Sequence, residues 1–148
     1  MSKAIVTGGG GAMAREIARR LASRGYSLVL VDVDESRMAE AASSLRGAVS
    51  TRTADLSDPE QIRATADWIE AEHGDVDLLV NNAGLINPGT IDDVTQADID
   101  RHINVNLLAP MQLTRAAARA MKPRGRGDIV TIVSMGGILA LPGSASYA

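Results

Sequence analysis

Thr7-Gly8-Gly9-Gly10-Gly11-Ala12-Met13-Ala14 is the stretch that decides the fold of this chain. The apolar run Ala4-Ile5-Val6 feeds it. Ala12–Arg24 leaves it as an amphipathic segment with Ile17, Ala18 and Leu21 on one face. Strand, glycine turn and helix therefore follow in immediate succession. Such a turn bends tightly, and its backbone can approach a pyrophosphate whose charge a helix N-terminus favours. Read as G-x-G-x-x-A, the residues Gly9, Gly11 and Ala14 fit the dinucleotide fingerprint. A bare glycine string means little, because turns collect glycine. The strand before it and the helix after it supply the meaning. No Gly-Lys-Ser/Thr follows, which disfavours a P-loop triphosphatase.

The pattern repeats outward from this turn. Tyr26–Asp32 is a nearly all-apolar second strand, as expected of one buried on both faces. Asp34–Arg46 is helical, and Ala48–Thr53 is a third strand. Ser57-Asp58-Pro59-Glu60 predicts a capping box with Pro in the first turn of a helix reaching His73. Asp77–Val80 is the fourth strand. Thr95-Gln96-Ala97-Asp98 starts a capped helical stretch to Met121, bent near Pro110. Asp128–Val133 is the fifth strand. Gly25, Gly47 and Gly74 each suit a helix C′ position. Five strands alternating with four helical connections predict a Rossmann-like α/β fold, a doubly wound parallel sheet covered on both faces.

Composition narrows the function. The chain has 148 residues, a net charge of −3 and 45% hydrophobic residues, enough for the core of one domain. It has no Cys, which excludes a disulfide framework and a Cys-ligated metal. With two histidines, His73 and His102, a histidine-based metal centre is disfavoured, and both read as surface or helix residues. The mild acidity argues against nucleic acid. The apolar stretch Ile129–Leu141 is interrupted by Ser134 and Gly136-Gly137 and is short for a bilayer. With no room for a secretory leader before Ala4, the expectation is a soluble cytoplasmic protein.

Asp32 ends the second strand. A carboxylate there can accept both ribose hydroxyls of an adenosine and repels a 2′-phosphate. The competing reading makes it a helix N-terminal acid, a duty Asp34 can also perform. Neither Gly11 nor Val33 supplies a cation for a phosphate, so NAD is favoured over NADP.

Further motifs add a resemblance. Thr7-Gly8 through Ala14, then Asn81-Asn82-Ala83-Gly84, then Ser134 with Tyr147 thirteen residues later, resemble the short-chain dehydrogenase/reductase family over the whole chain. In that family's T-G-x-x-x-G-x-G pattern, Ala12 and Ala14 replace the second and third glycines, and Ala12 sets an extra Cβ beside the cofactor. The resemblance implies that Gly8, Gly10, Gly11 and Met13 hold the pyrophosphate and nearby ribose. It implies that Asp55 and Leu56 contact the adenine, and that Asn82, Ala83 and Gly84 line the cofactor. For Asp55 a plain helix-preceding turn with Ser57 and Asp58 is the alternative. Asn81 and Asn82 also suit a role in stabilising the sheet.

The same resemblance makes Tyr147 the acid/base of hydride transfer between nicotinamide and a secondary alcohol or ketone. A phenol does this when its pKa of about 10 is pulled toward neutrality. Ser134 would hydrogen-bond the substrate oxygen, and Asn106, with Asn104 as competitor, would hold a water in the proton relay. The family's activating lysine falls four residues after the tyrosine, beyond Ala148. The expectation is therefore a dinucleotide-binding domain, residues 1–148, cut short near its C-terminal end. A non-catalytic NAD-binding or assembly module is the alternative, and another nucleotide ligand on the same fold is a third. The resemblance also implies a homo-oligomer, with the Thr95–Met121 helix as a dimer face. Trp68, at helical spacing with Ala64 and Ala71, reads as packing, and Arg124-Gly125-Arg126-Gly127 as a solvated turn.

Overall fold

A computed structural model describes residues 2–139, 142–144 and 147. Strand β1 (Lys3–Thr7) lies at the centre of a five-stranded parallel sheet of order β3-β2-β1-β4-β5. Its neighbours are β2 (Ser27–Asp32) and β4 (Val76–Asn81), so that Ile5 pairs with both Val29 and Leu79. The edges are β3 (Val49–Thr53) and β5 (Asp128–Thr131). The predicted fold is the observed one. β5 ends two residues earlier than expected, and all four of its residues are exposed.

The near-continuous apolar runs of β1 and β2 follow from burial on both faces. Ile5, Val29, Val31 and Leu79 point to one side. There they meet α3 (Pro59–Glu72) and α5 (Ala109–Met121) through Ile62, Ile69, Leu113 and Ala116. Ala4, Val6, Leu28 and Leu30 point to the other. They meet Ala14, Ala18 and Leu21 of α1 (Ala12–Ser23) and Met38 of α2 (Glu35–Ser43). Each large aliphatic side chain buried this way contributes about 1.5–3 kcal/mol. That is why the sheet tolerates no polar residue in these runs until Thr7 and Asp32 end them.

Helix starts are set by side-chain caps, with one correction. α3 is capped by Asp58, whose carboxylate accepts from the Glu60 N–H, and Pro59 follows at the first helical position. The Ser57–Glu60 capping box is not formed, because the Ser57 N–H is drawn into a turn by Asp55 Oδ1 at 2.8 Å. The Thr95–Asp98 box does form and opens α4 (Gln96–Ile103). Between α4 and α5, residues Asn104–Leu108 widen into a π-helical turn just before Pro110, where the bend was expected. Gly25 follows the C-cap of α1 with positive φ, as expected; Gly74 follows that of α3 without it; and Gly47, though its φ is positive, lies beyond the end of α2, which stops at Ser43 rather than reaching Arg46. Arg124 is no solvated turn residue. Its guanidinium pairs with Asp77 at 2.9 Å and reaches the Asp75 and Val76 carbonyls.

Candidate cofactor and active site

The strand order reverses at β1: the chain builds outward through β2 and β3, then returns to place β4 on the other side. Such a switch point leaves a crevice beyond the C-terminal strand ends. The glycine turn occupies it.

Crowding explains the glycines. Gly8 has φ +67°, and a Cβ there would stand 2.9 Å from Asn82 Nδ2 and 3.0 Å from Ala83 Cα. At Gly9 it would lie 2.7 Å from Leu30 Cβ, and at Gly10 2.7 Å from Arg37 Cβ. Gly11 is looser, meeting only the Gly8 carbonyl at 3.2 Å, to which its own N–H donates at 2.9 Å. Gly11 is the N-cap of α1. No side chain caps that helix, and its first turn holds no acid. Its N-terminal N–H groups and dipole therefore suit an anion. Ala14 is fully buried against the sheet, as expected for that position, and Ala12 is exposed at the helix start.

Asp32 stands beside the turn. Its Oδ2 accepts from the Gly10 N–H at 3.0 Å, and its Oδ1 accepts from the Asp34 N–H at 3.0 Å. The capping duty for α2 falls to Asp34, which accepts from the Arg37 N–H at 2.9 Å. That backbone hydrogen bond, helped by Ser36, holds the Asp34 carboxyl below its usual range. Although positions 11 and 33 carry no cation, the fold brings two others to the turn. Arg15 donates to the Gly10 carbonyl at 3.3 Å and pairs with Glu40 at 2.7 Å, while Arg37 pairs with Asp34 at 3.2 Å.

A cavity of about 330 Å³ opens here, with Gly8, Asp32, Asp55, Leu56, Ala83 and Gly84 in its wall. Asp55 also builds the local turn, accepting from the Ser57 N–H, as its alternative reading expected. Gly10 and Gly11 stand outside this wall and brace the turn. A second cavity of about 550 Å³ shares Ala83 and Gly84 and continues past Met13, Asn82 and Asn106 to Ser134 and Tyr147. The predicted cofactor and catalytic residues other than Gly10 and Gly11 thus line two adjoining cavities that share Ala83, Gly84 and Leu85.

A clamp where these cavities meet escaped sequence reasoning. Buried Thr7 accepts the Asn82 and Ala83 N–H groups on Oγ1, each at 3.0 Å, and its carbonyl accepts from Asn82 Nδ2 at 2.9 Å. The Asn82 side chain is therefore engaged with β1. Asn81 Nδ2 donates to Thr114 Oγ1 and Thr131 Oγ1, at 3.1 and 3.3 Å, tying β4 to α5 and β5. A threonine closing an apolar strand was the available signal.

Asn106 and Asn104 separate cleanly. Asn104 donates to the Ser57 carbonyl at 2.8 Å, on the α3 side. Asn106 faces the cleft, but both ends of its amide engage Leu85: Oδ1 accepts from the Leu85 N–H at 3.0 Å and Nδ2 donates to its carbonyl at 2.9 Å. Ser134 caps a short 3₁₀ turn, Met135–Gly137, by accepting the Gly136 N–H at 3.1 Å. The half-buried ring of Tyr147 presses on Gly136, where a Cβ would lie 2.9 Å from its Cε1. His102, expected at a surface or on a helix, is a helix residue with only 2% of its surface exposed. Among the described residues no acidic or histidine cluster suits a metal ion, and no helix is long and apolar enough to cross a membrane.

A doubly wound sheet with a glycine turn at its switch point and an acid closing the next strand defines a nucleotide-binding α/β domain. The short chain dehydrogenase family model matches residues 2–148, and the chain belongs to that family. It is 34% identical over 145 residues to nodulation protein G of Rhizobium sp. (strain N33), covering 98% of this chain and 59% of that protein. Among solved structures, the short-chain dehydrogenase from Sphingobium yanoikuyae in complex with NADPH superposes with a TM-score of 0.92. It is 31% identical, and the match covers 99% of this chain and 59% of that one. An NAD+-bound xylitol dehydrogenase superposes at 0.88 with 28% identity, covering 99% of this chain and 58% of that one. The chain thus spans somewhat over half the length of these proteins. Both nicotinamide cofactors occur among them.

Proposed function

We propose that this chain carries the dinucleotide site and catalytic side chains of an NAD(P)-dependent oxidoreductase acting between a secondary alcohol and its ketone. One observation carries the reading: two adjoining cavities with Ala83, Gly84 and Leu85 in common run from Gly8 and Asp32 at one end to Ser134 and Tyr147 at the other. The residues present fit the cofactor. Gly8 borders the first cavity, and the uncapped start of α1 suits a pyrophosphate. Gly8, Gly10, Gly11 and Met13 would form that cradle. Asp32 would accept the adenosine ribose hydroxyls, Asp55 and Leu56 would border the adenine, and Asn82, Ala83 and Gly84 would line the middle. When bound, the nicotinamide supplies the hydride acceptor or donor. Asp32 favours NAD, since a 2′-phosphate would meet its charge.

Tyr147 Oη takes the hydroxyl proton of an alcohol, or returns it to a ketone oxygen. Ser134 accepts from Gly136 and keeps its own O–H to donate to the substrate oxygen, where charge develops. With its side chain held by Leu85, Asn106 contributes to a water relay through the main chain of the π-helical turn, an element that often marks functional sites. The exposed stripe Ile103, Leu107 and Met111 supports a homo-oligomer.

Titration of the protein with NADH and NADPH, followed by nicotinamide fluorescence, tests the binding half. Absorbance assays across a panel of ketones test the chemistry. The expected result is tighter NADH binding, and turnover that Tyr147→Phe abolishes without changing dinucleotide affinity. Failure to bind either dinucleotide would refute the reading. Binding without turnover would assign the chain to a non-catalytic module instead.

A further inference from the structure

The segment that leaves β4 carries the shared wall of the two cavities, and the helix opposite holds it at two points. Asn106 Oδ1 accepts the Leu85 N–H at 3.0 Å, and His102 Nε2 accepts the Asn87 N–H at 3.0 Å. The acceptors are four residues apart on the helix and the donors two apart on the segment. Four helical residues advance about 6 Å, and two residues of chain span at most about 7 Å, so the spacings match. Two side chains thus hold the segment before Gly89, whose N–H donates to the Gly143 carbonyl at 2.8 Å.

The chemistry of His102 is fixed by its neighbours. Its Nδ1 lies 2.8 Å from the Asp98 carbonyl, which can only accept, so the ring proton belongs on Nδ1. Nε2 is then the lone pair that receives Asn87. A second bond backs the first: Asn87 Nδ2 donates to Asp98 Oδ1 at 2.8 Å. The other face of the imidazole meets Tyr147 edge to face, with ring centroids 6.5 Å apart.

We propose that His102 is a positioning residue: its neutral imidazole fastens the segment after β4 through Asn87 and backs the ring of Tyr147, aligning the two walls of the substrate-side cavity. Its role in catalysis rests on the oxidoreductase reading; the fastening itself does not. Removing the Nε2 acceptor would release the segment at Asn87, while Leu85 would stay held by the Asn106 amide.

Residue-resolved amide exchange on this chain, corrected for intrinsic rates, reads the fastening at Asn87 and Leu85. The expected result is that His102→Leu lowers protection at Asn87 about fivefold or more, the equivalent of one hydrogen bond, while Leu85 is unchanged. His102→Gln, whose Oε1 can accept the same N–H, keeps the protection. The ring proton resonances of Tyr147 move in His102→Leu and stay near their wild-type positions in His102→Gln. The proposal is overturned if His102→Leu leaves Asn87 protection unchanged. If His102→Leu fails to fold, His102→Gln decides, and loss of Asn87 protection there overturns the proposal. Separate NADH titration of the wild-type chain distinguishes the two readings: no binding with intact Asn87 behaviour refutes the oxidoreductase reading alone.

Discussion

Replacing Gly8 by alanine separates the structural demand of the turn from its demand for a cofactor. At φ +67° an L-residue costs about 1–2 kcal/mol. The new Cβ would also stand 2.9 Å from Asn82 Nδ2 and 3.0 Å from the Ala83 backbone, inside contact distance. Asn82 cannot withdraw without loosening its bond to the Thr7 carbonyl, worth about 1 kcal/mol more. The sum is about 2–3 kcal/mol lost from folding in the absence of any ligand. Gly11 is the control. Its φ of −75° and ψ of 156° suit any residue, and its Cβ would meet one carbonyl at 3.2 Å, so Gly11→Ala costs about 1 kcal/mol or less. Urea unfolding followed by circular dichroism resolves the difference. With a slope of about 2 kcal/mol/M, Gly8→Ala lowers the midpoint by about 1–1.5 M and Gly11→Ala by at most about 0.5 M. Equal midpoints for the two variants would refute the reasoning, and Gly8 would then matter for the cofactor alone.

Other perturbations act on separate links. Thr7→Val keeps the shape but strands the buried Asn82 and Ala83 N–H groups, and is expected to cost about 2–5 kcal/mol in urea unfolding, whereas Thr7→Ser stays near wild type. Asp32→Asn is expected to narrow the preference for AMP over 2′,5′-ADP by about tenfold, about 1.4 kcal/mol, measured by titration calorimetry; an unchanged ratio would remove Asp32 from cofactor choice. His73 lies in a half-buried pocket edge-on to Trp68, its Nδ1 3.2 Å from Lys3 Nζ, and burial foremost, then the lysine charge, depress its pKa below the ordinary 6.5. The unfolded chain therefore binds the proton first, so stability falls as pH drops below about 6.5. Thermal unfolding of His73→Gln should show a shallower loss between neutral pH and pH 5 than the wild type, and parallel curves would contradict the assignment.

What the sequence disclosed and what it concealed divide along a physical line. The positions of the strands and of most helix starts were legible because burial on both faces leaves a continuous apolar run, as in Leu28–Val31, and because caps such as Thr95–Asp98 act over a few residues. The glycine turn was legible for the same reason: its φ and its crowding need a residue type. Contacts between distant residues were not. That Thr7 would bind Asn82, or Arg15 reach the Gly10 carbonyl, depends on the approach of β1 to β4 and of α1 to α2, which no local spacing encodes. Asn106 illustrates the middle case. Its position was legible, but the use of its amide was not, since the Leu85 backbone became its partner only when the segment after β4 folded across the helix.

Such long-range contacts also surround Asp32, on which the proposed cofactor preference rests. Asp32 accepts one backbone N–H on each oxygen, from Gly10 and from Asp34. A carboxylate offers about four acceptor positions, so two remain for the paired hydroxyls of a ribose, and its plane is already held. The two nearby cations do not offset its charge toward the cleft, because Glu40 holds Arg15 and Asp34 holds Arg37. A 2′-phosphate would therefore meet a fixed carboxylate with both guanidinium groups already paired. A relative of the same fold carries NADPH and another NAD+. The shared fold thus occurs with either cofactor, and the proposed preference of this chain for NAD rests on these five side chains, in which three acids stand against two arginines.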